Sequence, residues 1–395
     1  MTEPLLLLLA VLTPWDGPTL VGPWRAELEL AGGPLRFSIV VDTASVNPAA
    51  QLCNGDSCQP FSSVRWVGDT AVFELADYAA TIRATMEGDS LVGVYSNVGN
   101  RGPRTIPFRA WRGRWPAAPG PAALLGSWDA WFGPPGRQTP RVFDFRNGPQ
   151  GFEGTVLSNS GDYGAFWGGS NGRTFTLGHF DGSFVYLITG ELAGDTLRGV
   201  FHAGLRSETP FLATRSAGGA HLKPPTEVTT ADTSGPFTFA FPDLTGAIVT
   251  NEDPRFQGKV VVVDVFGTWC PNCHDAAPAL VDLYRRFHDQ GFEIVSLAYE
   301  VSGDSAVDGQ LVRRFRDKFG IPWTMLLAGI NDTEATAATL PQLQGFTAYP
   351  TLIFLDRTGR VRRIHAGFYG PATGDQYTKL RHDLVTYVEE LMSGP

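Results

Sequence analysis

Positive charge is scarce in this sequence. Its 31 lysine and arginine residues are outnumbered by 40 aspartate and glutamate residues, which gives a net charge of −9. A surface without excess positive charge has little attraction for the phosphates of nucleic acid or for an anionic membrane. The composition therefore excludes nucleic-acid binding and membrane-surface binding as functions.

Long apolar runs are also lacking. The run Leu5 to Leu12 is too short to span a bilayer and matches the apolar region of a short signal peptide. A complete signal peptide carries positive charge before its apolar run, but here only Glu3 is charged. We therefore interpret residues 1–16 as a leader or export-signal remnant, with a first buried strand as the alternative. No later stretch approaches transmembrane length, so we expect the body of the protein to be soluble.

Cysteine is rare, and its four copies form two local pairs. Cys53 and Cys58 flank Asn54-Gly55, a dipeptide that favours a tight hairpin turn. We predict that the two cysteines face each other across a hairpin as a structural disulfide, which would indicate an oxidising compartment. Two free buried thiols are the alternative.

The first half of the sequence contains an internal repeat. Three fragments recur in the same order: GPWRAEL and GSWDAWF beginning at Gly22 and Gly126, EGDSLVGVY and AGDTLRGVF beginning at Glu87 and Ala193, and TIPFRAWRG and ETPFLATRS beginning at Thr105 and Glu208. Equal order and nearly equal spacing predict two copies of one domain-sized unit. We place them at residues 17–115 and 116–220.

Both copies consist of short alternating apolar and polar runs separated by Gly, Asn and Asp, a pattern typical of antiparallel β-structure. The Gly-Asp-Ser-Leu and Gly-Asp-Thr-Leu pieces have the composition of hairpin turns. Strands with one apolar face must close or stack, so an all-β barrel or sandwich is expected. The pattern leaves open whether the copies form two barrels or share one.

A change of rhythm marks the second half. Residues 221–236 are rich in Pro, Thr and Ser and are interpreted as a linker. From residue 237 to 395, strands alternate with helices: a β-branched run from Lys259 to Phe266 is followed by a helix that begins near Cys270 and ends about Gly291. This alternation predicts an α/β layer with Cys270 and Cys273 at a strand-to-helix turn.

That position suits redox chemistry. Unpaired N–H groups at a helix start favour the thiolate, which is the nucleophile in disulfide exchange. Cys270 would attack and Cys273, one turn later, would resolve the mixed disulfide. A zinc site would need a second ligand pair, which the sequence does not offer, and a staple across two residues would constrain the unfolded chain little. No metal or other cofactor is expected.

The motifs of residues 237–392 resemble the thioredoxin fold and, within it, the TlpA/ResA-like thiol–disulfide oxidoreductases. The marks are Phe256-x-Gly-Lys, Trp-Cys-Pro-Asn-Cys beginning at Trp269, Pro278 in the following helix, and Tyr-Pro-Thr-Leu-Ile-Phe-Leu-Asp beginning at Tyr349. The resemblance implies that Asp264 accepts the proton of the second cysteine. A solvated strand-end acid is the alternative for this residue.

The same resemblance implies a substrate-binding edge. It makes Pro350 a cis-proline, so that Tyr349, Pro350 and Thr351 would present backbone groups to a client facing Cys270, and a trans-proline starting an edge strand is the alternative. Trp269 would be an apolar surface for the client, or a core aromatic.

Other residues near the motif are candidates for tuning. The dipeptide Pro271-Asn272 carries no charge and leaves the redox poise undetermined. Glu300 ends the next strand near a functional acid of some relatives, although a solvated charge is expected there. His274 is expected to be mostly a solvated helix side chain.

The expected function is a thiol–disulfide oxidoreductase that reduces disulfides in exported proteins of the periplasm or cell envelope, with a membrane-bound thiol–disulfide electron donor as the resemblance implies. A different class is a ligand-binding or envelope adaptor protein whose β-repeats do the work, with Trp24, Trp111, Trp128, Trp131 and Trp167 lining a cavity. A peroxiredoxin would need Thr or Ser at the position of Gly267, and Thr268 is one residue late.

Overall fold

The computed structural model describes residues 19–42, 49–99, 102–216 and 221–394. The leader predicted at residues 1–16 lies outside these ranges. In chain order the described residues form two antiparallel sheets and then a mixed α/β sheet. The predicted fold class, an all-β tandem repeat followed by an α/β thioredoxin fold, is confirmed.

The first sheet has nine strands within the described residues, in the spatial order β4-β3-β2-β1-β9-β8-β7-β6-β5. A single 3₁₀ turn, Ala76–Tyr78, follows β6. The strands are β1 (Gly22–Leu30), β2 (Gly33–Val41), β3 (Ala50–Asn54), β4 (Ser57–Pro60), β5 (Ser63–Val67), β6 (Thr70–Leu75), β7 (Ala80–Glu87), β8 (Ser90–Gly99) and β9 (Gly102–Arg112).

The second sheet closes on itself. Its order is β11-β10-β18-β17-β16-β15-β14-β12-β13, and β11 also pairs with β12. The strands are β10 (Gly126–Phe132), β11 (Thr139–Gly148), β12 (Gly151–Ser158), β13 (Gly161–Asp162), β14 (Phe166–Ser170), β15 (Thr174–Phe180), β16 (Val185–Ala193), β17 (Thr196–Ala203) and β18 (Ser207–Arg215). The two copies thus form separate sheets. In the first sheet the end strands β4 and β5 do not pair with each other among the described residues, so this sheet is open.

The two sheets make the same contacts at corresponding positions. The indole N–H of Trp24 donates to the Leu20 carbonyl at 2.8 Å, and that of Trp128 donates to the Leu124 carbonyl at 2.9 Å. An arginine lies over each ring, Arg112 at 4.1 Å and Arg215 at 3.9 Å from the ring centroid. The predicted hairpin turns are present as well, between β7 and β8 and between β16 and β17.

Alternate residues of the strands point inward, as the sequence pattern predicts; β1 and β9 bury every second side chain in their central parts. Each sheet encloses its own apolar core. The end of β15 also enters the first core, where the Phe180 ring lies 5.0 Å from Phe37 and 4.9 Å from Tyr95. The two sheets therefore pack against each other through shared apolar contacts.

The segment predicted as a linker contains regular structure. A short helix α1 (Pro225–Val228) is followed by β19 (Thr230–Ala231), which pairs with β25 (Leu343–Gln344) of the α/β region. An element of two paired residues is too short to leave a periodic signal in the sequence.

The α/β region is a five-stranded sheet within the described chain, in the order β24-β23-β22-β26-β27. Strand β22 is buried along its whole length, as expected for a central strand. The elements are β20 (Ala240–Pro242), β21 (Ile248–Thr250), β22 (Val260–Phe266), α2 (Pro271–Phe287), β23 (Phe292–Glu300), α3 (Ser305–Phe319), β24 (Thr324–Ile330), α4 (Thr333–Thr339), β26 (Thr351–Leu355), β27 (Val361–Ala366) and α5 (Asp375–Ser393).

Strands β26 and β27 form a hairpin, and α4 is a short helix whose Ala/Thr-rich sequence has little helical periodicity. The active-site helix α2 ends at Phe287, and a 3₁₀ turn (His288–Gln290) carries the chain to Gly291, whose φ of 92° ends it. Across the described residues, no helix has the length and apolar character needed for crossing a membrane.

Candidate functional site

The cysteine pair lies where β22 leads into α2. Cys270 is the N-cap of the helix, Pro271 is its first residue and Cys273 lies in its first turn. The amides of Cys273 and His274 donate to the Cys270 carbonyl at 3.0 and 3.3 Å. Both sulfurs are thiols and both residues are buried, with exposed fractions of 4% and 2%. Burial and the neighbouring Cys270 sulfur raise the pKa of Cys273 well above its ordinary value.

The loop before β26 contacts the first cysteine directly. The Cys270 thiol donates to the Tyr349 carbonyl at 3.4 Å, and the Tyr349–Pro350 peptide bond is cis, as the sequence predicts. Thr351 does not face the sulfur: its side chain is fully buried and its hydroxyl donates to the Ala348 carbonyl at 2.8 Å. Of the three predicted residues, Tyr349 therefore presents a backbone oxygen to the Cys270 sulfur, and the Thr351 hydroxyl stabilises the loop.

Asp264 is buried in the centre of β22, not solvated at a strand end. One carboxylate oxygen, Oδ2, accepts from the Ser296 hydroxyl at 2.8 Å, and Trp323 donates to the same hydroxyl. The other oxygen, Oδ1, has no hydrogen-bond partner among the described residues. Burial raises the pKa of Asp264 to about 7, and the charge of this carboxylate in turn raises the pKa of Cys273.

Glu300 is buried, and the expectation of a solvated charge is wrong. Its exposed fraction is 1%, and its carboxylate accepts from the Thr268 amide at 2.8 Å and the Thr268 hydroxyl at 2.7 Å. Burial raises the pKa of Glu300 to about 7. Glu300 is the last residue of β23, and its two hydrogen bonds connect the end of this strand to the loop before Cys270 and hold that loop in place.

The expectation for His274 is wrong as well. Tyr78 of the β-region, which is the part of the chain that contains strands β1–β18, and Phe315 of α3 cover this face of α2. The ring is buried, its Nε2–H donates to the Thr268 carbonyl at 2.7 Å, and its centroid lies 5.0 Å from that of Tyr78. Burial and the charge of Lys318 lower the pKa of His274 to about 4. The neutral ring therefore anchors the first turn of α2 between two regions of the chain.

Trp269 is held in place by its indole, which donates to the Tyr299 carbonyl at 2.8 Å. Its ring is partly buried and meets the Tyr349 ring edge-on at 5.3 Å. The ring thus both packs against the core and lines the space next to Cys270.

The β-region covers the cysteine pair, and no pattern in the sequence predicts this cover. The Asn272 side chain donates to the carbonyls of Asp162 and Phe368, both at 3.0 Å. The Ser183 hydroxyl donates to the Trp269 carbonyl at 2.9 Å, and Lys318 pairs with Asp77 at 2.6 Å. Asp77 belongs to the first β-sheet region and Asp162 and Ser183 to the second, whereas Phe368 belongs to the α/β region itself. Contacts from both β-sheets therefore lie around the start of α2.

A cavity of about 570 Å³ remains between the β-region and the cysteine pair. That volume is typical of a small-molecule site. The cavity is lined from the redox side by Trp269, Cys270, Pro271, Asn272 and Tyr349, and from the β-side by the hairpin β3–β4 and the loop between β15 and β16. Pro271 and Asn272, predicted as tuning residues, therefore face this enclosed space.

The β-side of the cavity carries titratable groups. His179 Nδ1 donates to the Ala165 carbonyl at 2.9 Å, and Nε2 lies 3.1 Å from an Asp181 carboxylate oxygen. Burial alone would lower the pKa of His179, but the hydrogen bond and charge of Asp181 outweigh burial and raise it. On the opposite wall, burial and the charges of Asp162 and Asp181 raise the pKa of Asp275, in α2, to about 8. Sequence reasoning missed His179 and Asp181 because they lie far from the Cys motif along the chain, and it did not single out Asp275 although this residue is only two positions after Cys273.

The five tryptophans proposed for a ligand cavity in the β-half do not line one together. Trp24 and Trp128 are fully buried in separate cores, and Trp131 is 41% exposed. The Trp167 indole donates to the Gln150 carbonyl at 3.0 Å. Large aromatic side chains fill both interiors.

Cys53 and Cys58 form a disulfide between β3 and β4, as predicted. The two-residue turn is Gly55-Asp56, one position later than the Asn54-Gly55 tip expected from the sequence, because Asn54 pairs with Ser57. Within the described residues, no group of three or more His, Cys, Asp or Glu side chains is arranged to hold a metal ion.

Comparison with known proteins places the similarity in the C-terminal region. Residues 230–377 match the family model described as Redoxin, which is less than half of the chain. The thiol-disulfide oxidoreductase ResA of Halalkalibacterium halodurans is 28% identical over 131 residues, covering 33% of this chain and 65% of the relative. The protein of the same name from Geobacillus thermodenitrificans is 29% identical over 112 residues, covering 28% and 57%. The chain thus spans less than two thirds of either relative.

One solved structure that matches part of the chain is that of the thiol:disulfide interchange protein, thioredoxin family protein, from Chlorobium tepidum TLS. It is 20% identical, the match covers 42% of this chain and 99% of that one, and the TM-score is 0.32. Nucleoredoxin of Bos taurus is 34% identical over 113 residues, covering 28% of this chain and 23% of the relative.

Proposed function

We propose that this chain, whose C-terminal region is a TlpA/ResA-like thioredoxin-fold domain, is a thiol–disulfide oxidoreductase acting through Cys270 and Cys273. The observation that carries the proposal is the pair itself: two free thiols in the first turn of α2, with the Cys270 sulfur 3.4 Å from the Tyr349 carbonyl. This geometry supports reversible disulfide exchange.

In the first step the Cys270 thiolate attacks one sulfur of a disulfide. A mixed disulfide forms, and the other sulfur leaves as a thiolate that takes up a proton. Trp269 and the backbone of Tyr349 flank Cys270 in the cavity, so they are the groups that we propose to hold the reacting disulfide.

In the second step Cys273 attacks the Cys270 sulfur. This closes the Cys270–Cys273 disulfide, expels the second thiolate of the substrate and completes a two-electron reduction. Cys273 must first lose its proton, and its raised pKa makes a base necessary. Asp264 suits that role because its Oδ1 has no partner among the described residues and its pKa of about 7 allows it to accept and return a proton near neutrality.

We propose further that the substrates are exported proteins carrying disulfides, and that a membrane-bound thiol–disulfide donor returns electrons to the pair. The periplasm or cell envelope suits these partners, and the Cys53–Cys58 disulfide supports an oxidising location. Both relatives named ResA are thiol-disulfide oxidoreductases by name, and the partners are inferred by analogy with that family.

The two alternatives have less support. A ligand-binding β-module needs an interior cavity, but the tryptophans and phenylalanines fill both sheet interiors. A peroxiredoxin needs a hydroxyl three residues before the reactive cysteine, where Gly267 stands, and the Thr268 hydroxyl is already engaged by Glu300.

The test uses a small disulfide that can enter the cavity. We expect the wild-type protein to reduce hydroxyethyl disulfide in the presence of dithiothreitol, and the C270S variant to be inactive. The C273S variant should accumulate a mercaptoethanol adduct on Cys270, visible as a mass increase of the peptide 264–274 released by an Asp-specific protease. An active C270S variant, or an adduct on another cysteine, would refute the proposed mechanism.

A further inference from the structure

The two cysteine pairs, far apart in the chain, meet at one cavity. Cys58 lies on its β-side wall and Cys270 on the opposite wall. Cys270 is only 4% exposed under the β-region, whereas Cys58 is exposed to solvent. A purely structural role in the hairpin does not explain why the Cys53–Cys58 disulfide lies at the same cavity as Cys270.

A chain of hydrogen bonds joins the neighbours of the two cysteines. Gln59, next to Cys58, donates to the Asp181 carbonyl at 2.5 Å. The Asp181 carboxylate accepts from the Ser183 amide at 2.7 Å. The Ser183 hydroxyl donates to the carbonyl of Trp269, next to Cys270, at 2.9 Å. Three hydrogen bonds therefore link the disulfide hairpin to the active-site turn.

The hairpin β3–β4 is also bonded to the end of β15, next to the loop that contains Asp181 and Ser183. Asn54 donates to the Phe180 carbonyl at 2.9 Å, and its side-chain oxygen accepts from the Phe180 amide at 3.1 Å. By contrast, β4 is the end strand of its sheet within the described chain and pairs with β3 alone. A shift of β4 toward the cavity breaks few ladder hydrogen bonds.

From this arrangement we propose that Cys53–Cys58 is a redox-active disulfide that exchanges with Cys270 and Cys273 inside the same chain, and that the resulting Cys53/Cys58 dithiol reduces the client protein. The inference rests on the exchange activity proposed above and deepens it by naming the group that meets the client. The buried pair accepts electrons, and the exposed sulfur of Cys58 delivers them.

The exchange balances without any other reactant. The Cys270 thiolate attacks the Cys58 sulfur, the Cys53–Cys58 bond breaks, and Cys53 leaves as a thiolate that is protonated. Cys273 then attacks the Cys270 sulfur, forms the Cys270–Cys273 disulfide and releases Cys58 as a thiolate. One dithiol has been oxidised and one disulfide reduced, by two electrons in each case.

The direct test leaves one cysteine on each side of the cavity. The C53S/C273S variant keeps Cys58 and Cys270, and the matched control C58S/C273S keeps the buried Cys53 instead. Under mild oxidation with diamide we expect C53S/C273S to form an intramolecular disulfide about tenfold faster than the control, at a rate independent of protein concentration. An Asp-specific protease cuts before Asp56, so the product is peptide 56–68 linked to peptide 264–274.

A second measurement separates the relay from the basic activity. We expect C53S/C58S to reduce hydroxyethyl disulfide like the wild type, because Cys270 and Cys273 are intact, but to reduce insulin about tenfold more slowly. Circular dichroism checks that the variant is folded. The relay is overturned if no 56–68/264–274 product forms, or if folded C53S/C58S reduces insulin at the wild-type rate. Failure of the proposed function has a different signature, a wild-type protein that reduces neither disulfide.

Discussion

The two cysteine pairs occupy opposite kinds of backbone, and their environments differ accordingly. Cys53 and Cys58 are directly opposed across the outer strands of the open β-sheet, and they are joined. Cys270 and Cys273 lie in one helical turn at the end of a fully buried strand, and they are free thiols. The buried pair lies near a titratable group, Asp264, whereas Cys58 of the hairpin pair lies on β4, the end strand of its sheet among the described residues. The chemistry of a cysteine pair thus follows from the element that holds it.

The sharpest way to break this comparison is to remove one sulfur from the buried pair. We expect C270S to lose the reduction of hydroxyethyl disulfide by at least about a thousandfold. The thiol of Cys273 is buried and its pKa is raised, so it cannot replace Cys270, and the Cys53–Cys58 disulfide would receive its electrons through Cys270. C53S/C58S is the matched control and should retain this activity. Equal activity in C270S and the wild type would show that the reactive sulfur lies elsewhere.

The next largest effect should come from Asp264. D264N removes the base that accepts the Cys273 proton, so we expect the resolving step to slow about a hundredfold. In the wild type the rate of this step should rise as pH increases through about 7, because the carboxylate must be ionised to act as a base. Stopped-flow measurement of mixed-disulfide decay checks both effects. An unchanged inflection near pH 7 in D264N would assign the titration to another group.

A smaller effect should follow from loosening the cover over Cys270. N272A loses the hydrogen bond to the Asp162 carbonyl of the β-region, together with one to the Phe368 carbonyl inside the α/β region. Without the Asp162 bond the β-region should open more often, and Cys270 should react with iodoacetamide severalfold faster. Q290A changes an exposed amide in the 3₁₀ turn that follows the same helix and is the control. Identical alkylation rates in the two variants would mean that these hydrogen bonds do not hold the cover closed.

The smallest expected effect is on stability, and it compares equivalent contacts in the first and second β-sheets. R112A and R215A each remove a guanidinium that lies over a buried tryptophan ring, so we expect each to lower the free energy of unfolding by about 1 kcal/mol. Urea denaturation followed by tryptophan fluorescence measures both. A loss confined to one variant would show that the equivalent contacts are not equivalent in energy.

Local patterns predicted the elements but not their assembly. The β-branched run of β22, the Gly291 stop of the active-site helix and the Asn54–Gly55 hairpin signal each depend on neighbours in sequence, and each led to the correct element. The closure of the second sheet depends on the β11–β12 pairing, and the packing of the two sheets against each other depends on the entry of Phe180 into the first core. Such pairings leave no periodic signal in a single sequence.

The same distinction explains the site. Cys270 and Cys273 are predictable because their spacing and their place at a strand-to-helix turn are local features of the sequence, whereas the role of Asp264 is implied by the family resemblance. Glu300 and His274 were expected at the surface because a charged or titratable side chain is rarely buried, and the structure buries each against Thr268. The groups that cover the cavity come from distant parts of the chain, where nothing marks them as partners of the cysteine motif.

The most direct test of the central claim is a redox titration of Cys270 and Cys273 in mixtures of reduced and oxidised dithiothreitol. After alkylation, the mass of peptide 264–274 reports the state of both sulfurs. The account predicts one reversible two-electron transition, approached equally from the reduced and the oxidised protein. A pair that stays in one state across the whole range, or that does not return after the mixture is reversed, would contradict it.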